Sequence, residues 1–567
     1  MKSKRNFLPS DLSISSWSDL AVYFDALNNK EIKNELDFKN LLLHASELQA
    51  AIDEDMAWRY IKMTIDTTNE EFSKSYNVFV TEIQPHIAPQ SDLLNRKMME
   101  ASNFSIKKDN ALSIYLKNIK KEIDLYREEN IGLISEIQAE CQKYGAINGQ
   151  MTVEYNGENM TLQKASQELK STDRKTREEV YHLVQKRRMV DKEVLNNLFT
   201  QLTHIRNKVA INAGFKNYRD YKFVELGRFD YNVEDCFNFH KSIERQIKPI
   251  ANQLLNFRKS ALGLEKLMPW DLAVDTSGKP SLKPFLNAEE LIAKSIAVFS
   301  KVDPYFGECL RTMKQMGYLD LESKTGKAPG GYNYPLAETG VPFIFMNAVG
   351  SHGDMVTMMH EGGHAVHAFL SEKLELAAYK NCPMEVAELA SMSMELITMD
   401  FWDEFYPDKQ ELLRAKKEQL QGLLSILPWI AIVDKFQHWI YENPEHSVSE
   451  RELKWKEIYT GLGDEVVDWT GESETLLNMW QKQLHIYEVP FYYIEYGIAQ
   501  LGAIAVWKNY KENATTAITM FKNALALGYT ENIKTIYKTA GISFDFSEEY
   551  IKSLALFINK EIAALNG

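Results

Sequence analysis

Apolar side chains recur at helical spacing through most of the chain. Between Lys117 and Gln138, the residues Ile119, Ile123, Leu125, Ile131, Ile134 and Ile137 fall near one stripe among charges. That spacing predicts one amphipathic helix. Thr172-Asp173 ahead of the polar run from Arg174 reads as a capped helix start leading into Val180, Leu183 and Val184. The same periodicity marks Glu411–Leu427, Glu450–Leu462 and Asn532–Thr539. There is no internal repeat of fixed period and no low-complexity tract.

Two stretches break this texture. Ser277–Pro284 reads as a loop, and the segment from Ser323 to Pro342 is dense in Gly, Pro and Tyr. The second leads into Phe343–Asn347, a short apolar and aromatic run that predicts a strand. A lone strand needs a partner, so a small sheet is expected beside the longest loop. The fold class is therefore mainly α with one small β-sheet.

Length, composition and charge narrow the function. At 567 residues the chain has room for about three to five domain-sized units, or fewer large ones. A charge balance of 65 Lys+Arg against 79 Asp+Glu leaves −14, which argues against a nucleic-acid partner and against an anionic membrane surface. The four cysteines, Cys141, Cys236, Cys309 and Cys382, form no CxxC pair. They read as reduced cytosolic thiols rather than as disulfides or a cysteine zinc site. The basic start MKSKRNF is not followed by an apolar region of signal-peptide length. The longest apolar stretches, Leu423–Val433 and Ile498–Trp507, fall short of the ~20 residues a membrane span needs, and Pro428 is expected to break the first. A cytoplasmic protein with no membrane partner is expected.

The chemistry lies just after the expected strand. His360-Glu361-Gly362-Gly363-His364 is an HExxH motif. On a helix, i and i+4 share one face, so both imidazoles reach one ion. Glu361 sits about 100° away around the axis, where its carboxylate addresses a bound water rather than the metal. His360 and His364 are therefore candidate zinc ligands, and Glu361 the candidate base. Gly362 and Gly363 each cost ~1 kcal/mol relative to Ala inside a helix, which makes sense where another backbone passes close by. A catalytic zinc wants a third protein ligand. It does not follow six residues on, because His367 and Leu370 stand where a metzincin would place Gly and His. The helix expected over Pro383–Glu395 offers Glu385, Glu388 and Glu395 close to one face, with Ser391 between them. A carboxylate on so apolar a helix is costly to bury unless it is paired or coordinating.

An HExxH followed by a glutamate at this distance, with Ser at +3 and Glu at +7, resembles the thimet/neurolysin-type metallopeptidases. Glu388, Ser391 and Glu395 match that pattern. Arg206–Asp220, Gly330-Gly-Tyr332 and Phe345-Met-Asn347 are similar to segments of the oligoendopeptidase F and Pz-peptidase branch. The resemblance implies Glu388 as third ligand, with Glu385 next in line, to one Zn2+ per chain. It implies a bilobed neurolysin-like helical fold around a deep channel, read here as an N-terminal helical lobe over 1–200 and a catalytic lobe over 201–567. The expected substrates are short unstructured peptides, including collagen-like Pro/Gly sequences.

The segment His485-Ile-Tyr-Glu-Val-Pro-Phe-Tyr-Tyr-Ile-Glu-Tyr-Gly497 is similar to the family's His- and Tyr-bearing loop over the cleft. His485, Tyr496 and Tyr493 are the candidate oxyanion donors, ranked above Tyr492. Tyr492, His352, Phe345 and Met346 are candidate substrate contacts. Tyr487 and Phe491 read equally well as core, and His367 as a packed helix histidine or as a group orienting a carboxylate. The methionines around the motif read as core filler. The expected reaction is peptide hydrolysis by metal-activated water, with the strand Phe343–Asn347 pairing with the peptide backbone. The rivals are a zinc carboxypeptidase of similar architecture and a silent peptide-binding protein. No isolated Arg near the motif offers the anchor the first needs, and the intact base weighs against the second.

Overall fold

The computed structural model describes residues 5–105, 109–324, 326–328 and 330–565. The first four residues of the basic start, and Thr325 and Pro329 of the Gly/Pro-rich loop, lie outside the described residues. Helices dominate, as the periodicity predicts. Near the N-terminus, α1 (Glu35–Ile65) starts at Asn34, whose side chain accepts the Asp37 amide. The single helix expected over Lys117–Gln138 is two, α2 (Asn110–Leu125) and α3 (Asn130–Gly149). Arg127 lies in the break and donates to the carbonyls of Asp124, Tyr126, Asn212 and Ala213. It satisfies the carbonyls left open where α2 and α4 (Lys192–Asn212) end. The apolar periodicity continues across the break because both helices pack on neighbouring parts of the interior.

A hairpin of β1 (Thr152–Tyr155) and β2 (Glu158–Thr161) follows α3. The expected helix start after Thr172 is present, with Asp173 accepting the amides of Lys175 and Thr176. Nearby, Asp271 is fully buried and bound by Arg174 and by Arg177, at 2.8 Å to each. Next comes α5 (Val233–Gln246), opened by a capping box of Asn232 and Asp235.

The expected small sheet has three strands, β3 (Leu319–Glu322), β4 (Tyr332–Tyr334) and β5 (Phe343–Ala348), in the order β3-β5-β4. The strand read from sequence is thus central, parallel to β3 and antiparallel to β4, with Phe345 opposite Tyr332. Its pattern is buried on both faces, which accounts for the continuous apolar run. Part of the expected loop supplies β4. The C-terminal half is built from α6 (His352–Ser371), α7 (Met384–Ile397), α8 (Lys409–Glu442), the short α9 (Leu484–Glu488) and α10 (Tyr493–Glu512).

Pro428 does not break α8, which runs through it. The ring removes one helical hydrogen bond, but Leu424, Leu427, Ile430, Ala431 and Ile432 are buried around it, and packing outweighs the loss. No helix among the described residues is long and apolar enough to cross a membrane.

Two large apolar cores run through the molecule. One joins Leu8 to Ile119 with Leu376; the other runs from Leu125 to Ile562. A smaller cluster of Ala57, Ile61, Leu336, Phe343 and Phe345 packs α1 on the sheet. The break placed at residue 200 falls inside α4, whose buried Leu195, Phe199, Leu202 and Val209 all belong to the larger core. The core changes hands near residue 120 instead.

Candidate active site

Helix α6 carries the HExxH motif and enters from a tight turn. Gly350 has φ +93°, and Ser351 and Asp354 form a capping box. His352 is the first helical residue rather than part of the loop. It is buried, with Nδ1 2.8 Å from the Tyr406 hydroxyl and its ring against Trp402. It offers a peptide no surface, so the expected substrate contact is not supported.

His360 and His364 lie one turn apart, with ring centroids 4.9 Å apart and planes at 83°. Glu388, on α7, faces both: its Oε2 is 3.3 Å from His360 Nε2 and 3.7 Å from His364 Nε2. Donor atoms of the three residues all lie within 4.8 Å of one another. Two imidazoles and one carboxylate are the donor set of a catalytic zinc site. Glu385 is turned away and accepts from the Tyr231 hydroxyl at 2.6 Å.

Glycine at 363 makes this meeting possible. A Cβ there would stand 2.6 Å from Ser391 Cα and 2.7 Å from Ala390 O, so α6 and α7 touch backbone to backbone. Gly362 meets a ring instead, with a Cβ there 2.5 Å from Phe299 Cζ.

The charges around the ligands are arranged in depth. His360 Nδ1–H donates to Glu395 Oε1 at 2.7 Å, and Gln419 donates to Glu395 Oε2 at 2.9 Å. This bond through Nδ1 turns Nε2 toward Glu388, where an ion would displace the Nε2 proton. Burial works to raise the Glu388 pKa, but His360, His364 and Tyr492 outweigh it and hold it at about 2. For His360, burial works downward, and the hydrogen bonds to Glu388 and Glu395 carry it well above the usual histidine value. Burial pushes the Glu361 carboxyl up to about 7, with His360 opposing and Glu388 and Glu395 adding to it. Such a value suits a group that takes up a proton near neutral pH.

The segment after α9 closes over the ligands. Tyr492 donates to Glu388 Oε1 at 2.8 Å. Tyr496 packs edge-on against Tyr492 at 5.1 Å and against His485 at 5.7 Å. Tyr493 packs on the His485 ring at 4.9 Å with its hydroxyl toward Trp429 and Gln483, while the Tyr492 hydroxyl is committed to Glu388. Gln483 Nε2 lies 2.7 Å from His485 Nδ1. An amide N–H donating to Nδ1 leaves the proton on Nε2, and burial, opposed by Glu388, lowers the His485 pKa to about 4. At neutral pH His485 is thus a neutral N–H donor. Tyr487 and Phe491 are fully buried core, and His367 is buried with Cys382 Sγ at 3.7 Å rather than a carboxylate.

Phe345 and Met346 are buried in the sheet, Phe345 stacked on Tyr332 at 4.8 Å, so neither side chain has a surface for a peptide. Because β5 is paired on both edges, the expected strand pairing with a peptide through Phe343–Asn347 is excluded by the sheet order. Asn333, on β4, donates its Nδ2 to the Glu361 carbonyl at 3.2 Å, which sets a face of β4 against the motif.

Two contributors escaped the sequence reading. Arg206 is fully buried and donates to the Tyr487 carbonyl and, at 2.9 Å, to the Tyr441 hydroxyl. Arg228 donates to the Phe491 carbonyl and, at 3.0 Å, to Glu495. These two guanidinium groups anchor the backbone that presents His485 and Tyr492. Arg206 stood out in sequence only within a segment resembling a family motif, and Arg228 carried no signal.

Residues 168–556 match peptidase family M3, and residues 12–126 match the peptidase M3 N-terminal domain. An oligoendopeptidase F homolog of Borreliella burgdorferi is 22% identical over 528 residues, covering 87% of this chain and 84% of that protein. Oligopeptidase PepF of Bacillus subtilis is 22% identical over 398 residues, covering 69% and 58%. Among solved structures, Pz peptidase A with an inhibitor superposes with TM-score 0.90 at 26% identity, over 96% of this chain and 97% of that one. Oligoendopeptidase F from Enterococcus faecium has the same fold, with TM-score 0.64 at 15% identity over 97% of each chain. The chain belongs to peptidase family M3, in its oligoendopeptidase F branch, and is a metalloendopeptidase.

Proposed function

We propose that this metalloendopeptidase hydrolyses short unstructured oligopeptides with a Zn2+ held by His360, His364 and Glu388. The observation that carries the reading is the convergence of two imidazole nitrogens and Glu388 Oε2 on one point. When bound, zinc lowers the pKa of its water and polarises the scissile carbonyl. Glu361 takes the proton of the attacking water and passes it to the leaving amine. His485, through Nε2–H, and Tyr496 stabilise the oxyanion of the tetrahedral intermediate. Tyr492 holds Glu388 and borders the peptide. Glu395 and Gln419 keep His360 in the tautomer that leaves Nε2 free.

The edge of β4 that pairs with no strand among the described residues is the one on which an extended peptide adds a strand, which gives affinity without strong sequence preference, and Asn333 ties β4 to the motif. Pro/Gly-containing peptides belong to the proposed substrate range. All four cysteines are free, which supports work in a reducing compartment such as the cytoplasm.

Glu361→Gln tests the assignment. It retains fold and zinc and loses hydrolysis by about 10²–10⁴-fold. Unchanged turnover removes Glu361 from the reaction, and lost zinc makes it a ligand.

A further inference from the structure

A second group of donor side chains lies apart from the HExxH motif. Cys236 and His240 stand one turn apart on α5, and Asp434 and His438 stand one turn apart on α8, which packs against it. All four are buried, between 0% and 3% exposed. Cys236 Sγ, an Asp434 oxygen and a His438 ring nitrogen all lie within 4.8 Å of one another. His240 Nε2–H donates to Asp434 Oδ2 at 2.8 Å.

The polar atoms left over are the telling feature. Asp434 Oδ1, both ring nitrogens of His438 and His240 Nδ1 have no hydrogen-bond partner among the described residues. His438 Nε2 is only 3.3 Å from Asp434 Oδ2, yet the two are not aligned for a hydrogen bond. Near but misaligned is how two lone pairs sit when both point at a third centre. Buried polar groups are otherwise almost always paired. A thiolate, an imidazole and a carboxylate together suit zinc or cobalt rather than magnesium or calcium.

We propose that Cys236, Asp434 and His438 form a second, structural metal site for a divalent ion of the zinc type, with His240 holding the Asp434 carboxylate in place. The ion ties α5 to α8 and braces the loop above. The His438 ring lies 5.3 Å from that of Phe491, the residue before Tyr492, and Gln437 accepts the Phe491 amide. Phe491 takes φ +66°, a conformation that needs such support. The site raises the expected metal content from one ion per chain to two.

Metal analysis of the purified full chain tests this. Wild type binds two equivalents of Zn2+, His360→Ala/His364→Ala binds one, and Cys236→Ser binds one while retaining the HExxH ion. Loaded with Co2+, wild type and the double histidine variant both show a thiolate-to-cobalt charge-transfer band, and Cys236→Ser does not. If Cys236→Ser fails to fold, the band and the single equivalent in the double histidine variant still decide. One equivalent in wild type without the band overturns the proposal, as does a second equivalent or a band that persists in Cys236→Ser. Failure of the HExxH assignment reads differently: the double histidine variant then binds as much zinc as wild type.

Discussion

Tyr492 donates its hydroxyl to Glu388 Oε1 at 2.8 Å while Oε2 of the same carboxylate faces His360 and His364. One oxygen is held from across the site and the other is left to the ligand cluster. Burial and the neighbouring carboxylate push the Tyr492 pKa far above the usual value, so the hydroxyl stays a donor at any working pH. Tyr492→Phe is therefore expected to weaken zinc binding by about 10–100-fold, the usual cost of losing a group that orients a ligand. Tyr496→Phe is expected to leave zinc affinity unchanged and to lower kcat by about 10²–10³-fold, as the loss of an oxyanion donor does. Chelator competition and steady-state kinetics on both variants separate the roles. Equal zinc affinity in wild type and Tyr492→Phe sinks the first.

Gly363→Ala places a methyl group 2.6 Å from Ser391 Cα. Overpacking of this kind costs about 1–3 kcal/mol, more than the ~1 kcal/mol gained in helix propensity. The variant is expected to unfold at lower urea and to bind zinc less tightly, because the two ligand-bearing helices must separate. Gly422→Ala is the control. It lies exposed in α8 with nothing within 4 Å of the added methyl, and gains about 0.5–1 kcal/mol.

Asp271 contributes to the acid limb of the stability profile. Burial works to raise its pKa, and Arg174 and Arg177 outweigh it, so the folded value lies below the unfolded one. The stabilisation is complete above the unfolded value of about 3.9 and is lost as pH falls below it. Asp271→Asn leaves the buried Arg177 without its counter-charge and is expected to cost about 3–5 kcal/mol at neutral pH. Its stability then falls less steeply than that of wild type between pH 5 and pH 3. Denaturant titrations across that range check both; parallel acid limbs contradict the assignment.

Removing the HExxH ion is expected to abolish hydrolysis without unfolding the chain. The ligand-bearing helices are held by their own apolar contacts, including the buried Met355, Met358, Val386 and Leu389. Chelator should leave the far-ultraviolet circular dichroism unchanged, and added Zn2+ should restore activity. Cooperative loss of helix on chelation would mean that this ion builds the fold.

Much of the architecture was legible because it rests on short-range pattern. Capped starts at Asp173, Ser447 and Asn532 appear where polar residues precede an apolar stripe. His360 and His364 were readable for the same reason, since four residues on a helix fix a direction. What escaped depends on contacts between distant segments. The break at Arg127 has no Gly or Pro to announce it; it exists because α2 and α4 end beside one guanidinium. Tyr493 and Tyr492 are adjacent, and which one faces Glu388 is decided by the turn at Phe491. The four cysteines looked scattered because Cys236 meets its neighbours some two hundred positions along the chain.

The glycine contact between α6 and α7 has a bearing on metal choice. Where two ligand-bearing helices touch through their main chains, the separation of the backbones that carry His364 and Glu388 is set by the polypeptide. The helix spacing behind the cage is thus set before any ion arrives, and a larger ion is met by the side chains alone. Exchange among divalent ions should then alter rate through the Lewis acidity of each ion, with the peptide positioned identically in every case.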